Sequence, residues 1–107
     1  MSLNVEIADA AYEDLRNIYS YIALELKSPD DARNVIRRIL TAIATLDEMP
    51  NRFRPYPREP MASKGVRVMD VGNYSVYYCV GEAEVSVVRI LYFRRDADTI
   101  FATGLRK

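Results

Sequence analysis

The run from Gly65 to Asp96 constrains the fold more than any other stretch, because it reads as three strands in succession. β-Branched and aromatic residues fill Val66 to Val71, Tyr74 to Val80 and Val85 to Phe93, which is strand composition. The breaks between them, Gly72-Asn73 and Gly81-Glu82, suit tight hairpin connections because glycine reaches positive φ without a Cβ clash. Strands joined this closely pair antiparallel. The third ends in fixed charge, Arg94-Arg95 followed by Asp96, and a strand end is where a rigid sheet can present charge without burying it.

The residues before the meander supply what covers it. Leu3 to Ala8 alternates, with Leu3, Val5 and Ile7 on one face; this predicts a strand that joins the meander at one edge. Asp9 is placed to cap a helix over 10–27, whose buried face is Ala11, Leu15, Ile18, Ile22 and Leu26, with Tyr19 at its margin. Ser28-Pro29-Asp30-Asp31 starts a second helix, with serine as cap, proline in the first turn and acids at the positive end of the dipole. That helix runs to about Met49 and stops at Pro50; its stripe is Ala32, Val35 or Ile36, Ile39, Ile43 and Leu46. Arg33, Arg37 and Arg38 fall mainly off the stripe, on a face expected to be solvated and paired to nearby acids. Two helices joined this tightly lie antiparallel and offer their stripes to one face of the sheet.

Residues 51–64, NRFRPYPREPMASK, hold three prolines and three arginines, which excludes a central strand or a helix interior. The segment is expected to cross the molecule as a loop, with Phe53 and Tyr56 pinning it to the core. Its arginines, Arg52, Arg54 and Arg58, are either solvated or, interleaved with those rings, a stacking-plus-charge surface for nucleic acid. Ala97 to Lys107 is expected to add a turn or tail with Ile100 and Phe101 tucked back. The order β-α-α-β-β-β predicts an α+β fold, a helical hairpin on a mainly antiparallel sheet, in one domain over 1–107.

Composition narrows the chemistry. The chain has no histidine, which removes Ser-His-Asp and Cys-His catalysis and the usual zinc sites. Acid–base work would fall to carboxylates, tyrosines, lysines or arginine-assisted electrostatics. The single Cys79 sits mid-strand with no histidine to activate it, and reads as a small packing residue. No phosphate loop, Rossmann pattern or metal-spaced acid cluster occurs, so no cofactor or metal is expected. No apolar run approaches the ~18 residues needed to span a bilayer, and no basic-then-apolar leader opens the chain. A cytoplasmic protein with no membrane contact is therefore expected. The net charge is zero but divides into −4 over residues 1–49 and +4 over 50–107. Either an anionic partner for the second half or pairing between sheet arginines and helix carboxylates accounts for such an imbalance.

With the elements placed, the chain resembles the RelE/ParE superfamily of toxins from bacterial type II toxin–antitoxin modules. The resemblance spans nearly the whole length. It lies in Asp14, Leu15, Ile18, Tyr21 and Ile22 of the first helix, in Ala32 opening the second, and in Leu46 with Met49-Pro50 closing it. It continues through Arg67-Val68-Met69, Gly72-Asn73-Tyr74, Tyr77-Tyr78 and the run from Arg89 to Asp96. The Gly-Asn-Tyr hairpin and the terminal Arg-Arg-Asp are most similar to the ParE branch, often called plasmid stabilisation proteins.

The resemblance implies two chemistries. RelE-like members are ribosome-dependent endoribonucleases that cut messenger RNA, which needs a proton acceptor, a donor to the leaving oxygen and cations around the phosphorane. ParE-like members poison DNA gyrase by binding it, without catalysis. Two departures from the nuclease pattern favour the second: Ser75 stands where RelE-like chains carry arginine, and Phe101 where they place a tyrosine. If the chain were a nuclease, its candidates would be Arg67, Arg94, Arg95 and Tyr92, with Tyr74 or Tyr78 as further proton carriers. As a ParE-like protein it would place target binding on Arg94, Arg95 and Asp96, supported by Arg67 and Arg89. Arg89, mid-strand, is expected to pair with Asp70 or Glu13 and to matter for stability. The implied partners are a cognate antitoxin that folds as it wraps the toxin, and DNA gyrase, or the ribosome in the alternative; assembly as a homodimer or as a heterotetramer with antitoxin is open.

Overall fold

The computed structural model describes residues 3–93 and 95–104. Strand β1 (Asn4–Ile7) leads into helix α1 (Asp9–Ser20), a π-helical turn (Tyr21–Glu25) and helix α2 (Pro29–Ala44). Two short 3-10 turns, Thr45–Asp47 and Pro50–Arg52, precede the two-residue strand β2 (Arg54–Pro55). The meander comes next as β3 (Arg67–Val71), β4 (Tyr74–Val80) and β5 (Glu84–Tyr92), and helix α3 (Ala97–Gly104) comes after it. The sheet order is β1-β5-β4-β3-β2, with β1 parallel to β5 and the other pairs antiparallel. This is the expected α+β arrangement, with β1 added at one edge.

Alternation divides the sheet between two cores. On one face Met69, Val76, Tyr78, Val85, Val87 and Ile90 meet Ala11, Leu15, Ile39, Ile43 and Leu46 of the hairpin. On the other, Val68, Tyr77 and Leu91 meet Tyr56 and Met61 of the long loop and Ala97 and Phe101 of α3. Ring edges lock this second core: Phe101 lies 5.6 Å from Tyr56 and 5.1 Å from Tyr77. A bulge between Tyr77 and Tyr78 lets Val88 stand unpaired in β5, between the register pairs Tyr78–Val87 and Tyr77–Arg89.

Several expected boundaries move. The first helix is not continuous over 10–27: Leu26 N–H reaches back five residues to the Tyr21 carbonyl, at 3.1 Å, and the turn becomes π-helical. One extra residue per turn rotates the succeeding residues by about 100°, so Leu26 leaves the buried stripe and is 54% exposed. Lys27 ends the turn at φ 55°. Asp9 does not cap α1; Ala8 holds the extended cap position and Asp9 sits in the first turn. Ser28 occupies the cap of α2, yet its hydroxyl makes no capping bond. The α-helical part of the second helix ends at Ala44, because the chain must tighten and then turn at Met49, φ 51°, to admit Pro50.

Arg89 pairs with neither Asp70 nor Glu13. Its Nε and Nη2 donate to the two carboxylate oxygens of Asp14 at 2.7 and 2.8 Å. The cause is the shortness of β1, whose pairing with β5 stops at Val87. Beyond it the Ile90 N–H has no strand to bond, and Asp14 Oδ2 accepts it at 2.9 Å. One buried carboxylate thus stands in for a missing strand and fixes α1 to the sheet. Asp70 is engaged elsewhere, with Arg54, and Glu13 pairs with Arg16 on the surface.

Candidate functional site

Two concave surfaces meet at the Gly72-Asn73 turn. The first is a cleft of about 480 Å³ on the sheet face that α3 covers, lined by residues that include Arg54, Arg58, Asp70, Ser75, Tyr77 and Arg95. The proline-rich loop reaches it because Arg54–Pro55 pairs with Val68 and Arg67 as an edge strand, a position proline tolerates. Its arginines are not simply solvated. Arg54 Nη1 donates to Asp70 Oδ2 at 2.8 Å, and the Ser75 hydroxyl donates to Asp70 Oδ1 at 3.0 Å. Arg54, and then Ser75, hold the Asp70 carboxyl below the usual carboxylate range against the opposing effect of burial. Arg58 Nε and the Tyr56 hydroxyl both donate to Asp98 on α3, and those bonds hold the Asp98 carboxyl down as well.

The phenols around this cleft are poor proton acceptors. Burial and the bond to Asp98 push Tyr56 up to about 12. Burial also raises Tyr77 in the cleft, and Tyr74 and Tyr78 on the hairpin side of the sheet. A raised phenol holds its proton at neutral pH and is disfavoured as the base that a phosphodiester cleavage needs. Phe101 and Ser75, at the two positions where the nuclease pattern places tyrosine and arginine, are a buried packing ring and an acceptor-bound hydroxyl.

The residues expected to form one basic corner are placed apart. Arg67 sits at the far end of β3, opposite Tyr78, while Tyr92 lies opposite Tyr74. Four residues of β4 separate the two positions, about 13 Å. Arg67 Nη1 donates to the Phe53 carbonyl at 2.8 Å and the Asn51 carbonyl at 3.2 Å. Its guanidinium therefore fastens the loop. Asp96 accepts from the Thr99 N–H at 3.3 Å and the Thr99 hydroxyl at 2.7 Å, and so caps α3. That spacing, an aspartate three residues before a threonine at a helix start, was a legible capping signal. Arg94 lies outside the described residues. Arg95 is exposed and lines both concave surfaces. Tyr92 is half-exposed, with its ring 5.8 Å from Tyr74 and 5.0 Å from Phe93.

The second surface is a groove of about 890 Å³ between the end of the hairpin and the uncovered part of β5. Asp14, Ile18, Tyr21 and Val35 form one wall, and Tyr74, Ile90 and Tyr92 the other. It exists because β1 ends early and the π-helical turn that starts at Tyr21 swings Leu26 outward; Tyr21 and Leu26 are both more than half exposed. Among the described residues no group of acids, histidines or cysteines could hold a metal ion, and no helix is long and apolar enough to cross a membrane.

Residues 5–97 match the model of the ParE toxin of the type II toxin–antitoxin system parDE. The chain belongs to the ParE toxin family. Solved structures share its fold. A chain of the chromosomal ParDE system from P. aeruginosa is 24% identical, with a TM-score of 0.69 over 85% of this chain and 96% of that one. A chain of a RelBE toxin–antitoxin complex from Mycobacterium tuberculosis is 20% identical, with a TM-score of 0.60 over 86% and 92%. A double-arginine mutant of E. coli toxin RelE in the free state is 13% identical, with a TM-score of 0.66 over 99% and 97%. No curated protein sequence matches. Chains of ParDE and RelBE systems and RelE therefore all share the fold of this ParE-family toxin.

Proposed function

We propose that this ParE-family toxin arrests growth by binding a protein target, DNA gyrase, and that a cognate antitoxin holds it silent. The observation that carries the reading is the state of the outer cleft. Arg54 and Arg58 lie against Asp70 and Asp98, so two of the three cations that line it among the described residues are already neutralised by the protein itself. An RNA phosphate would have to displace those carboxylates, and the neighbouring phenols Tyr56 and Tyr77 are raised away from proton exchange at neutral pH. A protein target needs neither a free cation cluster nor a base. Effector contacts fall to Arg95 with Arg94 at the strand exit; Asp96 and Arg67 support them indirectly, through the α3 cap and the loop they hold.

The antitoxin reading rests on family membership and on the toxin–antitoxin systems named for the P. aeruginosa and M. tuberculosis relatives. Purified toxin added to a gyrase supercoiling assay tests the target directly: loss of supercoiling, reversed by antitoxin, is expected. Unimpaired gyrase together with codon-aligned cuts in translated messenger, lost in Arg95→Ala, would replace this reading with a RelE-like nuclease.

A further inference from the structure

The rings at the end of β5 carry a further inference, which rests on the proposed protein target. The chain has three phenylalanines. Phe101 is buried between Tyr56 and Tyr77, and Phe53 packs against the hairpin-side core with Arg52 over its ring at 4.7 Å. Phe93, by contrast, is 51% exposed. Its ring lies 5.0 Å from that of Tyr92, also exposed, and Tyr92 in turn meets Tyr74 at 5.8 Å. One exposed ring is ordinary on a protein surface; two in contact beside an exposed arginine have the composition of a binding hot spot.

The backbone holds these side chains in a fixed place. The Phe93 N–H donates to the Asn73 carbonyl at 2.9 Å, which ties the residue after β5 to the residue before β4. The Arg95 N–H donates to the Tyr92 carbonyl at 2.9 Å, an i to i+3 closure that tightens the chain into a turn. Asp96 then caps α3. Phe93 and Arg95 are thus presented on one turn fastened at both ends. Phe93 lines the outer cleft, Tyr92 the groove, and Arg95 both, so the turn stands between the two concavities. Arg95 makes no ion pair or side-chain hydrogen bond among the described residues.

We propose that Phe93 is the apolar anchor of the effector corner and enters a hydrophobic pocket on the protein target, where carboxylates on the pocket rim meet Arg95. Such a partner buries the exposed ring at the centre of the contact and leaves the cation at its wetter edge. The unmatched charge of Arg95 selects the acidic rim, and Tyr92 backs the anchor from the groove side. A single-stranded nucleic acid fits this turn less well, because it needs a row of cations along its backbone and ring faces open for stacking. Arg54 and Arg58 are already paired with Asp70 and Asp98, and the rings of Tyr92 and Phe93 meet tilted at 55°.

Inhibition of gyrase supercoiling by purified toxin variants provides the test, with growth arrest on induction as a readout independent of the target. Phe93→Ala should raise the toxin concentration for half-inhibition by roughly tenfold or more. Phe93→Leu keeps apolar bulk and should raise it by less than about threefold. Tyr12→Ala removes another exposed ring, on α1, and should change nothing. Both positions are exposed, so unchanged melting temperatures are expected and verify folding. In direct binding to gyrase, Phe93→Ala should weaken affinity and keep its salt dependence, whereas Arg95→Ala should flatten that dependence. Full inhibition by Phe93→Ala overturns the proposal. Equal losses in Phe93→Leu and Phe93→Ala, together with loss of polyuridine binding, overturn it too and assign the ring to base stacking. If wild-type toxin leaves gyrase unimpaired, the gyrase reading falls by itself and growth arrest decides the anchor. Arrest by Phe93→Ala at the wild-type level then overturns it, and arrest kept in Phe93→Leu but lost in Phe93→Ala supports it.

Discussion

In the outer cleft Arg54 and Arg58 lie against Asp70 and Asp98, whereas on the hairpin side Asp31 and Arg38 face an open groove with no ion-pair partner among the described residues. Both surfaces flank the same turn and share Asn73 and Arg95. The cleft uses its charges to hold the loop and α3 against the sheet, a structural task completed within the chain. The groove contains the Asp14–Arg89 pair, which holds α1 to the sheet, but the charges of Asp31 and Arg38 along it are not used within the described residues. A concavity with balanced internal pairs and raised phenols is poorly suited to an anionic substrate; one with unmatched charge at both ends of an apolar wall is suited to a protein segment.

The sharpest way to break this contrast is to remove the carboxylate that fixes α1 to the sheet beside the groove. Asp14→Ala would leave the Arg89 guanidinium and the Ile90 N–H without an acceptor in a site where both side chains of the pair are less than a fifth exposed. A loss of about 3–5 kcal/mol is expected, read by urea denaturation, and Arg89→Ala should also lower stability. A loss below about 1 kcal/mol would show that the pair is incidental. Next in size is Phe101→Ala, which empties the buried position between Tyr56 and Tyr77. About 3 kcal/mol is expected, with the cleft loosened and the groove untouched: antitoxin affinity at low temperature should be unchanged.

The double variant Arg94→Ala, Arg95→Ala should leave stability within about 0.5 kcal/mol while abolishing growth arrest on induction. Antitoxin should still bind, because Arg95 is only one of the side chains that line the groove. Continued toxicity would move the effector surface to the proline-arginine loop. The smallest effect concerns pH. Asp70 is held below its usual range when folded, so its stabilisation is complete above the unfolded pKa and disappears as pH falls through the lower folded value. The pair is about half exposed, and screening limits it to a few tenths of a kcal/mol. Wild type and Asp70→Asn should therefore differ slightly in melting temperature at neutral pH and converge well below pH ~4. A difference that grows on acidification would contradict the assignment.

How much the sequence revealed depends on how local each signal is. The meander, the hairpin and the N-terminal edge strand were legible because a period of two or 3.6 is written in adjacent residues. The family could be read from the ordered set of Ile18, Tyr21, Gly72-Asn73-Tyr74 and Arg94-Arg95-Asp96. The π-helical turn was not legible, since YIALELK carries an unbroken helical pattern and only packing reveals the shift of Leu26. Helical spacing puts Asp14 among the polar residues of α1, so of the two partners expected for Arg89, Asp70 and Glu13, one is on another element and the other is one residue away from the true one. The bonds that decide the character of the cleft join residues 16 apart, Arg54 to Asp70, and 40 apart, Arg58 to Asp98. No periodicity encodes such pairs. Tertiary geometry alone showed that Arg54 and Arg58 are occupied and that Arg38 has no such pair among the described residues.

The parallel pairing of β1 with β5 sets an order of events during synthesis. Asn4 is matched with Glu84, so β1 leaves the ribosome some 80 residues before its neighbour, a wait of roughly 4–16 s at 5–20 residues per second. Once the hairpin is made, its apolar stripes wait without a sheet until β3 and β4 emerge, and the sheet is completed only with β5. The corner that bears Arg95 is translated later still, after every strand. On the proposed assignment of Arg95, the effector arginine is therefore made only after the hairpin and every strand, and the hairpin wall is the surface exposed earliest.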